Sequence, residues 1–308
     1  MNKRVYILVG PTAVGKTEVA LGIAEKLDAW IISADSRQVY RHMDIGTAKP
    51  SQADRMRVRH FLIDIIDPDS TFSAGAFLAS ARDVINEAFE KDVNILIVGG
   101  TGLYIRALVK GFDLADTPRI DEIRNELEEQ LERDGLESLV KELRALDPIA
   151  SEAIDSMNPR RVIRALEIIK ATGKPLDDAR GSRISEEMEF VVIGLRRERD
   201  SLGERIRLRT YSMLHAGWMD EVRELMKMNY PEESPAMSGI GYRELREFLE
   251  GKITLDLAIE RIITRTRQYA KRQMTWFNAD DFIRWCDLDA DDEVGEISER
   301  ILKLFLET

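Results

Sequence analysis

Residues that cross-link, chelate or cross membranes are scarce in this sequence. One cysteine, Cys286, occurs in 308 residues, which excludes a disulfide framework and a multi-cysteine zinc site. His42, His60 and His215 are scattered, with no carboxylate spacing that would suggest a metal or a triad, and carry no assigned role. Long hydrophobic runs are missing. The run from Val5 to Gly10 is far too short for a signal core or a membrane span, so a cytoplasmic protein without membrane contact is expected. Positive charge is also in deficit, with 45 Lys and Arg against 56 Asp and Glu and a net charge of −11. That balance argues against a nucleic-acid binder, but its distribution is uneven. Acidic residues crowd Asp113 to Asp155 and Asp287 to Glu299. Between Arg261 and Gln273 stand five basic residues (Arg261, Arg265, Arg267, Lys271, Arg272) and no acidic one. An acidic shell around a basic groove is compatible with both facts.

What is present is a strict alternation of two patterns. Val5 to Val9 is a continuous apolar run, as in a strand buried on both faces. Lys16 to Leu27 places Val19, Ala20, Ile23, Ala24 and Leu27 on one helical face. Trp30 to Ile32, Phe61 to Ile65 and Ile95 to Val98 read as further strands. Ser73 can cap a helix that turns Phe77, Ala81, Val84, Ile85 and Ala88 inward. The pattern implies an α/β protein, a parallel sheet flanked by helices. From about Asp113 to Ser185 strand signals vanish. Helices are expected at Arg119–Asp134, Leu136–Leu146 and Pro159–Thr172, the last with Asn158 as N-cap, Pro159 in the first turn and Gly173 past the end. This predicts an all-helical insertion domain over 113–185 in a core of 1–112 and 186–308. Phe190 to Leu195 returns as a strand. Helices follow at Ser201–Ala216, Met219–Met228, Tyr242–Glu250 and Leu255–Phe277, then an edge strand at Phe282–Trp285 and a helix at Glu296–Leu306.

Gly10-Pro11-Thr12-Ala13-Val14-Gly15-Lys16-Thr17 fits G-x-x-x-x-G-K-[ST] between a buried strand and a helix, the context that pattern requires. Its glycines let the backbone N–H groups point inward, Lys16 neutralises phosphate oxygens, and the Thr17 hydroxyl can ligate Mg²⁺ at a helix N-terminus. A di- or triphosphate is implied, though not the reaction. In a sheet of this class the carboxyl ends of strands face the ligand crevice. Asp35, at the end of the second strand, can there take a proton from a nucleophile; alone, it could equally cap the next turn. Gly99-Gly100-Thr101-Gly102 makes a second tight turn into a helix, with the Thr101 hydroxyl near the same crevice.

Taken in order, these segments resemble the tRNA dimethylallyltransferase family, in its bacterial form. The resemblance rests on Gly10–Thr17, Ser33–Tyr40, Met43–Pro50 (MDIGTAKP), Gly99–Tyr104, Asn158–Glu167 (NPRRVIRALE), Gly239–Arg243 and Lys271–Phe277 (KRQMTWF). It covers nearly the whole chain and implies a P-loop NTPase-like fold. It implies transfer of a dimethylallyl group from dimethylallyl diphosphate to N6 of the adenine 3′ of the anticodon in tRNA. It further implies Asp35 as general base and Thr101 as a contact near the amine, with Arg209 reaching the diphosphate and Arg205 the competing register. Diphosphate contacts fall on Gly10, Thr12, Ala13, Val14, Gly15, Lys16 and Thr17, with Mg²⁺ at Thr17. Contacts to the tRNA anticodon stem-loop fall on Asp35, Ser36, Arg37, Gln38, Arg160, Arg161, Arg164, Gly241, Tyr242, Arg243, Lys271, Arg272, Gln273 and Trp276. A monomer is expected.

Arg261, Arg265, Gln268 and Arg272 recur at helical spacing beside an apolar seam of Ile262, Tyr269 and Trp276. On residues alone, a phosphate-tracking face and a solvated charged face look the same. Two other classes share the opening strand, loop and helix: a P-loop kinase of a small metabolite or nucleotide, and a nucleotide-switched RNA-binding protein. The basic stretch and the helical insertion are excessive for the first. The Asp35 and Thr101 turns, both aimed at the phosphate crevice, disfavour pure binding. An enzyme acting on free AMP would have no use for a phosphate-tracking helix.

Overall fold

The apolar run near the N-terminus forms the middle of a parallel sheet. In the computed structural model, which describes residues 3–111, 120–176, 188–231 and 233–307, β1 (Lys3–Val9) lies between β4 (Asn94–Gly99) and β5 (Met188–Arg197). Beyond β4 come β2 (Ala29–Ser33) and the short β3 (His60–Phe61), and beyond β5 lies β6 (Ile283–Leu288). The order is β3-β2-β4-β1-β5-β6, every pair parallel. Val5, Ile7, Leu8 and Val9 have no exposed surface, because helices cover both faces of a sheet built this way. One cover is α1 (Lys16–Leu27), which packs on the sheet through Val19, Ala20, Ile23 and Ala24.

Two local outcomes here differ from the sequence pattern, and a third agrees. The third strand, expected through Ile65, ends at Phe61, because Leu62 and Asp64 turn the chain through positive φ. The turn frees the Asp64 carboxylate to accept from Lys49 and from Arg55 Nη1 at 2.6 Å. Helix α2 (Gln52–Arg57) was not foreseen, although Ser51 and Asp54 form a reciprocal capping box there. Helix α3 (Ala74–Glu90) starts at the expected cap, where Ser73 Oγ accepts from Ala76 N, a bond of a kind that contributes about 1 kcal/mol. Helix α4 (Gly102–Lys110) follows the glycine turn after β4.

The chain divides into two compact units, Met1–Val109 with Ser185–Thr308, and Lys110–Ile184. The second is all-helical where described: α5 (Asp121–Asp134), α6 (Leu136–Leu146), α7 (Pro148–Ala153) and α8 (Pro159–Thr172). They enclose their own core of Leu127, Leu139, Leu143, Val162 and Leu166. The unforeseen α7 is capped by buried Asp147, which accepts from Ala150 N at 2.9 Å and Leu176 N at 2.7 Å. Helix α8 has the expected punctuation, with Asn158 accepting from Arg160 N and Gly173 in the left-handed region. The expected insertion limits Asp113 and Ser185, and Arg119 at the expected helix start, lie outside the described residues.

In the first unit β5 leads into α9 (Arg199–His215), α10 (Trp218–Lys227), α11 (Tyr242–Leu249), α12 (Leu255–Phe277), then β6 and α13 (Val294–Leu306). A separate apolar cluster of Val39, Met43, Trp218, Val222, Tyr242, Leu245 and Ile262 joins α10, α11 and α12 to the segment after β2. Among the described residues no helix is long and apolar enough to cross a membrane.

Candidate active site

The strand ends converge on a crevice of about 1450 Å³ in the first unit. One wall is the loop between β1 and α1. Gly15 caps α1 with φ +110, a conformation that a side chain would strain, and Ala13 also has positive φ. The loop's carbonyls are held by cations. Lys16 Nζ donates to Gly10 O at 2.9 Å and Pro11 O at 2.7 Å, Arg205 Nε to Ala13 O at 2.9 Å, and Arg197 Nε to Val14 O at 3.2 Å. With its carbonyls so engaged, the loop offers a concave N–H array and a helix N-terminus to an anion. Thr12, Ala13, Gly15, Lys16 and Thr17 line the crevice. Gly10 and Val14 shape the loop from behind: Val14 is fully buried, and a Cβ on Gly10 would lie 2.6 Å from Leu195 O.

The facing wall begins at the carboxyl end of β2. Asp35 Oδ1 accepts from Arg37 N at 2.8 Å, so the carboxylate does cap its turn, and it also lines the crevice. Thr101 Oγ1 accepts from Ser36 N at 3.1 Å, which ties the turn after β4 to the turn that carries Asp35. Gln38 is consumed locally: its Oε1 accepts from Ser33 Oγ at 2.9 Å, and its Nε2 donates to the Thr47 and Ala48 carbonyls. Lys49, in the MDIGTAKP segment, is almost wholly buried and donates to Tyr40 O at 2.6 Å and Asp44 Oδ1 at 2.7 Å as well as to Asp64. Glu221 holds the same segment by accepting from Asp44, Ile45 and Gly46 N at 2.7, 2.6 and 3.1 Å.

Charge inside the crevice is unbalanced. Burial pushes the Lys16 ammonium down to about 8, partly opposed by Asp35 and reinforced by Arg209. Burial likewise holds the Arg209 guanidinium below the ordinary arginine range, against the pull of Glu18 and Asp35. Arg209 lines the crevice and makes no hydrogen bond or ion pair among the described residues, whereas Arg205 is bonded to Ala13 O. Two cations poorly compensated in a partly dry cleft make a site for an anion whose negative charge grows during a reaction. Opposite them stands Asp35, with one oxygen outside its Asx turn.

The IPP transferase family model matches residues 38–280. Among curated relatives, the tRNA dimethylallyltransferase 2 of Geotalea daltonii is 46% identical over 301 residues, covering 97% of this chain and 91% of the relative. The tRNA dimethylallyltransferase of Natranaerobius thermophilus is 38% identical over 307 residues, covering 99% and 92%. The chain belongs to the IPP transferase family. Among solved structures, the tRNA isopentenylpyrophosphate transferase of Bacillus halodurans is similar at TM-score 0.70 and 40% identity, covering 99% of this chain and 97% of that one. A eukaryotic dimethylallyltransferase acting on tRNA is similar at TM-score 0.82 and 25% identity, covering 97% and 78%.

Within this IPP transferase, the residues expected at an RNA surface, besides Asp35 and the locally bonded Gln38, fall into four environments. Ser36, Arg37 and Arg272 line the crevice beside Asp35. Arg243 and Lys271 are exposed, with Arg243 Nε 3.1 Å from Glu247 Oε1. Arg160, Arg161 and Arg164 lie on α8 of the second unit; Arg161 pairs with Asp155 at 3.6 Å, and Arg164 with buried Glu167 at 3.1 Å. The remaining four are placed by packing. Tyr242 is buried, its hydroxyl donating to Glu221 at 2.6 Å, and burial and that carboxylate hold it well above the ordinary tyrosine range. Gly241 lies under the Trp218 ring. Trp276 packs against Gly102 with the Arg106 guanidinium over its ring at 4.4 Å. Gln273, expected at the RNA surface, is buried with both ends of its amide bonded inside the protein.

Sequence reasoning missed two crevice groups. Tyr269 was read only as part of an apolar seam, yet it lines the crevice, and burial and then Asp35 push it up to about 12. It lies one helical turn before Gln273, which was the available signal. Glu18, next to Thr17, acts on both Lys16 and Arg209 and had no distinguishing pattern.

Proposed function

We propose that this protein transfers a dimethylallyl group from dimethylallyl diphosphate to N6 of the adenine 3′ of the anticodon in tRNA, releasing diphosphate. The observation that carries the reading is one crevice holding a phosphate loop, the poorly compensated cations Lys16 and Arg209, and the Asp35 carboxylate at the end of β2, in a member of this family. In the reaction N6 forms a bond to C1 of the allyl group as the C1–O bond breaks. The electron pair of that bond leaves with the diphosphate, and the amine proton passes to Asp35. Lys16, Arg209 and the loop N–H groups meet the charge that grows on the leaving oxygens. The loop residues Thr12 to Thr17 orient the donor, and Thr101 fixes the Asp35 turn beside the acceptor amine. The adenine must leave its stack to enter.

The donor set suits Mg²⁺. The Thr17 hydroxyl lines the crevice, makes no hydrogen bond among the described residues, and would hold a cation that prefers few protein ligands and several substrate oxygens. When bound, Mg²⁺ would stabilise the departing diphosphate charge. Arg272 and the exposed basic groups of α12, with Arg243 and with Arg160, Arg161 and Arg164 on α8, are the proposed contacts to tRNA phosphates. A monomeric enzyme belongs to the same proposal, and its acceptor supports a cytoplasmic one.

Incubation with unmodified tRNA and labelled dimethylallyl diphosphate tests the reading. Label is expected on that one adenosine, with a folded anticodon stem-loop accepting far better than AMP. Equal specificity constants for AMP and stem-loop would defeat the tRNA assignment, and no transfer to any acceptor would defeat the transferase.

A further inference from the structure

Gln273 sits on the inner face of α12 with its amide between two walls of the crevice. Its Oε1 accepts from Thr12 N at 2.8 Å, and its Nε2 donates to Gly100 O at 2.8 Å. The amide orientation is forced, because a backbone N–H can only donate and a carbonyl can only accept. The turn it touches is shaped to receive it. A Cβ on Gly100 would lie 2.3 Å from Gln273 Nε2, and one on Gly102 2.0 Å from Trp276 Cδ1. Between those glycines Thr101 holds Ser36 N, next to Asp35. The same buried amide thus bonds the tip of the phosphate loop and the turn that braces the Asp35 turn.

We propose that Gln273 is a positioning residue which locks the phosphate loop and the Gly99–Gly102 turn into one geometry, setting the distance between the departing diphosphate and the Asp35 side of the crevice. This rests on the transferase reading above. It replaces the role in RNA contact that its place in the KRQMTWF segment suggests. A misplacement of reacting groups by an ångström costs about 10²-fold in rate, so the lock should act on the chemical step and leave RNA affinity alone.

The test compares wild type, Gln273→Leu and Gln273→Glu in single-turnover transfer to a stem-loop across pH, with stem-loop affinity measured in parallel without donor. Leucine makes neither bond at any pH. An ionised glutamate keeps the bond from Thr12 N but turns a charged oxygen toward Gly100 O. A protonated one accepts and donates as glutamine does. Burial and the facing carbonyl raise that carboxyl's pKa, so its neutral form is reached by mild acidification. The expected result is a loss on the order of 10²-fold for Gln273→Leu at every pH. Gln273→Glu should be comparably slow at high pH and recover toward wild type as pH falls, with stem-loop affinity within about twofold throughout. Gln273→Glu running parallel to wild type across pH overturns the proposal, and it decides the matter if Gln273→Leu fails to fold. A fall in stem-loop affinity matching the fall in rate returns Gln273 to RNA contact and also overturns it. An active wild type with unaffected variants defeats the lock alone, whereas an inactive wild type defeats both readings.

Discussion

Lys16 and Arg209 in the crevice and Arg261 and Arg265 on α12 are held in opposite ways. Lys16 and Arg209 stand in a partly dry cleft with no carboxylate in direct ion pair among the described residues. On α12, Arg261 Nη1 lies 3.0 Å from Glu247, and Arg265 pairs with buried Glu244. The first arrangement costs stability, because burial disfavours both charged forms, and it concentrates field where the proposed leaving group would need it. The Arg261 pair costs little, since exposed pairs contribute on the order of 0–1 kcal/mol, Arg265 offsets the buried Glu244 carboxylate, and both arginines stay neutralised until a polyanion competes for them. Charge proposed for one small anion is set in advance, whereas Arg261 and Arg265, two of the groups proposed for RNA phosphates, are stored in pairs.

The largest effect should come from the carboxylate opposite the dry cations. Asp35→Asn is expected to keep the fold and donor binding and to lower turnover by about 10²- to 10⁴-fold, read as a single-turnover rate with donor and tRNA both saturating. Near-normal turnover would remove the crevice's chemical asymmetry and with it the comparison.

Next in size is the contrast of two arginines one helical turn apart. Arg209→Ala should slow the chemical step by about 10²- to 10³-fold with little change in tRNA affinity. Arg205→Ala should do less, because that side chain already holds the Ala13 carbonyl. The reverse ranking would transfer the leaving-group role to Arg205.

Lys16 gives a prediction in pH. Its ammonium titrates near 8 in the folded protein and near the ordinary lysine value of about 10.4 when unfolded. Between those values the unfolded chain binds more protons, so this group makes stability rise with pH across that window. Donor binding has the opposite sense. A diphosphate favours the charged lysine, so affinity should fall as pH rises through about 8, and binding there should take up a proton. Calorimetry in buffers of different ionisation enthalpy reads that uptake, and Lys16→Met should abolish it. An uptake that persists in the variant would place the titrating group elsewhere.

The smallest effects lie on α12. Arg272 lines the crevice with its guanidinium 5.9 Å from the Tyr269 ring and makes no ion pair among the described residues. Its removal should shallow the log–log salt dependence of tRNA binding by up to about one unit. Arg261→Ala and Arg265→Ala should change it less, since Glu247 and Glu244 must first be displaced. Equal slopes for all three would show that the pairing is incidental.

How much of this was legible in the sequence depends on the range of the interaction. The phosphate loop, Asp35 at a strand end and the caps at Ser73 and Asn158 were readable, because each depends on neighbours within a few residues. Helix α7 had a local cap at Asp147 and Pro148 that went unread, but its second bond and the early end of β3 were not legible. Asp147 gains from a bond to Leu176 N, 29 residues away, and Asp64 gains from Lys49 and Arg55, and no local pattern contains those partners.

By itself the sequence determined the alternating architecture, the glycine loop between β1 and α1 with its lysine, and the helices of the insertion where it is described, because apolar periodicity and glycine chemistry act along the chain. The packing of α12 against the loop after β1 and the turn after β4 decided the rest. It buried Gln273 against Thr12 and Gly100 and placed Tyr269 toward Asp35, while the α10–α11 packing turned Tyr242 from a surface contact into a core residue bonded to Glu221. Those assignments required knowing which backbone carbonyl, N–H or carboxylate lies within about 3 Å of a side chain, and that is fixed only when distant segments are brought together.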